Sequence, residues 1–92
     1  MVYIRDVIVT PEQAEHIWEK HRVTPEEVDE VCFAEPWSLR GRDGSYACFG
    51  ETEAGRYLVV FLYPRGRGVF AVATARDMTD AERRRYRQAG RR

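Results

Sequence analysis

Lysine is almost missing from this chain. Of fifteen basic residues only Lys20 is a lysine, and the rest are arginine. A rigid, permanently charged guanidinium favours bidentate contact with phosphate or carboxylate, where an ammonium offers a point charge. Cysteine is also scarce. Cys32 and Cys48 are too few for a disulfide framework and lack metal-ligand spacing, so both are read as reduced thiols of a cytoplasmic protein. No apolar run approaches the length of a bilayer span, and the N-terminus lacks a basic segment followed by an apolar one. Neither a membrane nor a secretory route is therefore expected. His16 and His21 lie five residues apart on one expected helix, which does not stack them as a zinc pair, and no His-Glu-x-x-His pattern occurs. There is no Gly-x-Gly-x-x-Gly, and Arg65-Gly-Arg-Gly68 follows a strand without opening a helix, so a phosphate-cradling loop is unsupported. Ser38 and Ser45 lack the strand-turn-helix context of a nucleophile elbow. No metal and no cofactor are expected.

What remains is a chain of 92 residues, read as one domain over 1–92 with 88–92 frayed. Its net charge is zero but unevenly laid out: residues 1–46 hold ten acids against five bases, and residues 47–92 the reverse. Such asymmetry suits one surface to a polyanion or an acidic partner.

Residues 1–9 read as a short mixed strand. Thr10-Pro-Glu-Gln13 then opens a helix, with a cap, a proline at the first helical position and a third residue able to reach back. Ala14, Ile17, Trp18 and His21 give that helix an apolar stripe. Thr24-Pro-Glu-Glu27 repeats the device for a second helix that faces inward with Val28, Val31 and Cys32, and Arg22-Val23 leaves room only for a tight corner. Pro36 stops this helix. Trp37–Arg40 and Tyr46–Phe49 read as strands around the Asp43-Gly44 turn, and Thr79-Asp-Ala-Glu82 caps a last, basic helix to about Gln88. The order of strand, two helices, four strands and helix predicts an α+β fold with an antiparallel sheet, two N-terminal helices and a C-terminal helix.

The central hairpin is the segment 56–76. Two almost wholly apolar runs, 56–63 and 69–76, flank Pro64-Arg-Gly-Arg-Gly68, so both strands should be covered on both faces. If Tyr63 pairs with Val69, Arg56 falls opposite Arg76, and two guanidinium groups share one face. Like charges directly opposed across strands cost stability, an arrangement better tolerated if an anion belongs between them. With Lys20, His21 and Tyr86 these arginines form a cationic set able to cleave an RNA phosphodiester without a cofactor. Arginines would hold the phosphate while a histidine or lysine moves protons. Each member also has a plainer role: His21 as a packed core residue, Lys20 as a snorkelling side chain, and Tyr86 as the anchor of the last helix.

Lys20-His21-Arg22-Val23-Thr24, Glu26-Glu27-Val28, Glu35-Pro36, Gly55-Arg56 and Ala75-Arg76-x-Met78-Thr79-x-x-Glu82-Arg-Arg-x-Tyr86 occur in that order. Over roughly residues 14–87 this resembles the BrnT family of type II toxin–antitoxin toxins. The resemblance implies a RelE-like α+β ribonuclease that cuts RNA without a metal and halts translation. It implies a BrnA-like DNA-binding antitoxin as partner and an RNA substrate, with homo- or hetero-oligomeric assembly left open. By position it carries function to Lys20, His21, Arg56 and Arg76, with Tyr86 the weaker member. Arg22 stands where the family usually reads Gly, and Val7-Ile8-Val9 does not match the family's early Trp-Asp pair. Two other readings stay open: a fold relative that has lost catalysis and binds protein, and a domain for a small phosphate-bearing ligand.

Overall fold

A computed structural model of the chain describes residues 2–90; of the stretch 88–92 expected to fray, Gln88 ends the last helix and 89–90 form a turn, while 91–92 lie outside the described residues. In chain order the elements are β1 (Asp6–Ile8), α1 (Pro11–His21), α2 (Pro25–Cys32), β2 (Trp37–Arg40), β3 (Tyr46–Glu51), β4 (Tyr57–Gly66), β5 (Val69–Asp77) and α3 (Asp80–Gln88). The expected α+β class holds. No helix among the described residues is long and apolar enough to cross a membrane.

All three helices begin as their cap residues dictate. Thr10, Thr24 and Thr79 each accept a hydrogen bond from the backbone N–H three residues on, and the Thr24 and Thr79 N–H groups donate to the Glu27 and Glu82 carboxylates to complete two capping boxes. Helix α1 ends at Arg22, which adopts left-handed torsions (φ 54°, ψ 40°). The Arg22 N–H donates to the Trp18 carbonyl, the single bond of an αL cap, and the Val23 N–H donates to the Ile17 carbonyl beneath it. Glycine is the usual residue there, because a Cβ is crowded at positive φ. Here the Arg22 guanidinium lies 5.2 Å from the Trp18 ring centre, a contact that offsets part of the strain. Trp18 is thus outside the apolar stripe expected for it. It is 48% exposed, and Ile17 alone from α1 is fully buried.

The sheet order is β1-β5-β4-β3-β2, antiparallel throughout except that β1 runs parallel to β5. The expected all-antiparallel sheet is corrected at this edge. Two helices separate β1 from β2, so no hairpin sets the direction of β1, and it docks on the edge β5 leaves free. Residues 2–5 do not extend the strand, although Val2 and Ile4 still pack on the core.

The sheet divides two apolar clusters. On one face Ile17, Val23, Val28, Val31 and Cys32 from α1, α2 and their corner pack against Cys48, Leu58, Val60, Leu62, Val72 and Ala75. On the other, Phe49, Val59, Met78 and Tyr86 pack under α3 with Trp37, Tyr57 and Phe61 half-buried around them. Cys32 and Cys48 are both buried and free. Burial pushes both thiols up, far from the thiolate that would react.

The hairpin register differs from the expected one. Gly66 pairs with Val69, leaving only Arg67 and Gly68 in the turn, both at positive φ (57° and 79°), the requirement of a type I′ connection. Strand β4 therefore runs on through Pro64-Arg65-Gly66, with irregularities between Phe61 and Leu62 and between Pro64 and Gly66. Arg76 pairs with Val59, and Asp77 with Leu58. Arg56 precedes the strand. The slip is by an odd number of residues, so Arg76 faces the α3 side while Arg56 faces α1 and α2.

Candidate active site

The end of the sheet where β4 begins and β5 finishes gathers most of the charged side chains singled out above, on two faces rather than one. Arg56 follows a tight turn: the Thr52 N–H donates to the Arg56 carbonyl at 2.8 Å, and the Arg56 N–H donates to Thr52 Oγ1 at 3.0 Å. This fixes the backbone from which the guanidinium projects. Its Nε donates to Asp77 Oδ1 at 2.8 Å, and Nη2 to Asp77 Oδ2 at 3.1 Å and to the His21 carbonyl at 2.7 Å. Nη1 donates to the Arg22 carbonyl at 2.6 Å and to Glu27 Oε1 at 3.2 Å. All five donors thus have acceptors within the chain. Arg56 closes the otherwise unsatisfied carbonyl end of α1, braces the capping glutamate of α2 and ties both to the end of β5.

Arg76 makes a matching clamp on the opposite face. Its Nη1 and Nη2 donate to the two oxygens of Glu82 at 2.8 and 3.0 Å, Nη1 also reaches the Asp77 carbonyl at 3.0 Å, and Cζ lies 5.3 Å from the Phe61 ring centre. Consecutive residues of β5 therefore secure the two helical layers: Asp77 holds the α1–α2 corner through Arg56, and Arg76 holds the start of α3 through Glu82. The expected shared face for Arg56 and Arg76, and with it the joint grip on one phosphate, is corrected by the register.

Lys20 is exposed and His21 half-buried on the last turn of α1, with His16 and His21 ring centres 6.4 Å apart. Tyr86 is buried against Tyr57 in an edge-to-face contact of 6.0 Å, on the α3 side. The expected set thus falls into two groups, Lys20, His21 and Arg56 on one side and Arg76 and Tyr86 on the other. A cleft of about 320 Å³ wraps the strand ends between them, lined by Gly55, Arg56, Tyr57, Asp77, Met78 and Arg83. Arg83 is the residue that reading the sequence missed. Its signal was present: it stands four residues after the Thr79 cap, on the turn that must face the sheet if Tyr86 does.

Both clamps leave an electrostatic signature. Hydrogen bonding from Arg56 holds the Asp77 carboxyl below its ordinary range, opposed in part by burial, and the Arg76 and Thr79 bonds do the same for Glu82. Each group binds fewer protons in the folded chain than in the unfolded one. The stability they contribute is complete above the ordinary carboxylate range and is lost as pH falls through their lowered values. Asp29, raised by burial and by Glu26 and Asp6, works in the opposite sense. The melting temperature is expected to drop on acidification below about pH 4, and Glu82→Gln to start lower and drop less steeply. An identical slope for the variant in thermal melts would remove Glu82 as a source of the acid sensitivity.

No protein-family model matches the sequence, and a search of curated proteins finds no match. Among solved structures, the crystal structure of the Brucella abortus ribonuclease toxin BrnT superposes with a TM-score of 0.68. The match covers 82% of this chain and 97% of that one, at 13% sequence identity. The chain has the BrnT fold. At that identity the likeness is one of architecture.

Proposed function

We propose that this chain is an endoribonuclease toxin of a type II toxin–antitoxin system, acting on RNA in the cytoplasm and held in check by a BrnA-like DNA-binding antitoxin. The observation that carries the reading is the BrnT fold, with a cleft at the sheet end lined by Arg56 and Arg83. The reaction is attack of a ribose 2′-OH on its neighbouring phosphorus. The 2′-O–P bond forms, the P–O5′ bond breaks, and a 2′,3′-cyclic phosphate and a 5′-OH result. His21 takes the 2′-OH proton, and Lys20 protonates the leaving O5′ or neutralises its charge. Arginine charge stabilises the pentacoordinate phosphorane. With all its donors occupied, Arg56 serves by fixing the end of α1 that presents Lys20 and His21. Arg76 and Tyr86 act from the α3 side. Among the described residues no group of three His, Cys, Asp or Glu could hold a metal ion, and the mechanism calls for none.

The carboxylates that fill the forks of both Arg56 and Arg76 favour a second reading, a BrnT-like module that binds protein without cleaving RNA. One assay separates the two. Purified protein is incubated with free and ribosome-bound messenger RNA in the presence of a chelator. Cleavage with cyclic phosphate ends is expected, blocked by a 2′-deoxy substitution at the cut site. His21→Ala should slow it by roughly a hundredfold, and Arg65→Ala, at the far tip of the hairpin, should leave it unchanged. RNA left intact by the wild-type protein in both forms, with no growth arrest on expression, would leave the binding module standing.

A further inference from the structure

We infer that the cleft at the sheet end is a phosphate-binding site in which Arg83 is the principal ligand. Arg56 and Arg76 have their forks filled by carboxylates of the chain itself. Arg83 differs from both. Its Nε is buried without a hydrogen-bond partner, and its guanidinium makes no ion pair with any described residue. Cζ lies 4.6 Å from the centre of the Tyr57 ring, a cation–π contact that restricts its rotamers before any ligand arrives. An arginine cannot shed its charge, and a buried donor without an acceptor is costly. The arrangement therefore holds a fixed charge at the cleft wall, with no acceptor of the chain on its Nε.

The rest of the cleft wall fits that role. Asp77, the carboxylate that lines it, has an oxygen on each of two Arg56 donors and so does not compete for Arg83. Arg56 on the same lining is already neutralised by Asp77 and Glu27, so the uncompensated charge is that of Arg83; Met78 and Tyr57 add apolar surface that strengthens its attraction for an anion, and the cleft is open to entry. A planar fork matches the oxygens of phosphate bidentately. The site would take a phosphomonoester, a free phosphate or the diester of a nucleic acid. Only the last of these identities rests on the ribonuclease reading, since the site itself follows from Arg83, Tyr57 and the cleft.

The test reads the arginine Nε–Hε resonances of the ¹⁵N-labelled protein during titration with inorganic phosphate and, separately, with a dinucleoside monophosphate, at fixed ionic strength. The Arg83 signal, assigned by its loss in Arg83→Lys, is expected to shift saturably with both ligands, while the Arg56 signal moves far less. Arg83→Lys should weaken phosphate binding at least tenfold. An Arg83 resonance that stays still, or that acetate and chloride move equally, would overturn the site. Saturable binding with RNA left uncut would keep the site and remove the ribonuclease. Cleavage unchanged in Arg83→Lys, with an unmoved resonance, would do the reverse.

Discussion

Replacing Arg56 by alanine is expected to destabilise the fold by about 2–3 kcal/mol, the scale of losing several charge-assisted hydrogen bonds at once, reduced because the Asp77 side chain is 61% exposed and only Glu27, at 23%, is largely covered. For a domain of this size that is a fall in melting temperature of roughly 10–25 °C. The Arg56 side chain is 27% exposed, and its guanidinium serves four groups at once: Asp77, Glu27 and the carbonyls of His21 and Arg22. Its loss opens the end of α1, frees the glutamate that caps α2, and leaves two carboxylates without their cation. Arg56→Lys keeps the charge but offers three donors on a flexible stem, so it should recover less than half of the loss. The measurement is chemical or thermal unfolding at neutral pH. A cost of Arg56→Ala under about 0.5 kcal/mol, the scale of an ordinary surface pair, would show that water replaces these contacts without penalty. The result bears on function as well. Any loss of RNA cleavage in an Arg56 variant would then reflect a displaced His21 and Lys20 before a lost phosphate ligand.

Much of this architecture was legible in the residues, because local chemistry decides it. Three threonine caps set three helix starts, Pro36 set a stop, and the doubly apolar runs set the central strands. The inward positions Val28, Val31 and Cys32 followed from helical period, since only those residues of α2 are buried. The site was harder, because it depends on register, and register depends on how many residues the turn consumes. Four of the five residues from Pro64 to Gly68 are glycine or arginine, and nothing local says that the strand continues to Gly66. The irregularities in β4 then alter the pairing on the way back. An odd slip moves Arg76 to the other face, which splits the expected arginine pair and makes room for Arg83. The direction of β1 was illegible for a similar reason: it is set by a free sheet edge distant in sequence, and no turn encodes it.

Gly50→Val is expected to cost about 2–3 kcal/mol, the usual penalty for forcing methyl groups into a packed interior. Gly50 is buried in β3 opposite Leu58, beneath α2. A Cβ built there would lie 3.0 Å from Val31 Cγ1, a tight contact, and 3.6 and 3.7 Å from its Cβ and Cα, ordinary contacts that leave no space for the further methyl groups of valine. Gly50→Ala needs only the methyl to yield and removes the entropic disadvantage of glycine in a strand, so its cost should stay within about 1 kcal/mol. Valine must lift the helix. Val31 stands one turn after Glu27, whose carboxylate accepts from Arg56. Raising α2 therefore withdraws Glu27 from the clamp, and part of the penalty of Gly50→Val is the same interaction that Arg56→Ala removes. The double variant should be more stable than the sum of the two single losses by about 0.5–1 kcal/mol, within the range found for residues sharing a network. Additivity within about 0.3 kcal/mol would mean that α2 yields by bending at Val31 alone. In that case the sheet–helix spacing and the Arg56 clamp are independent, and the cleft does not depend on how closely α2 approaches β3.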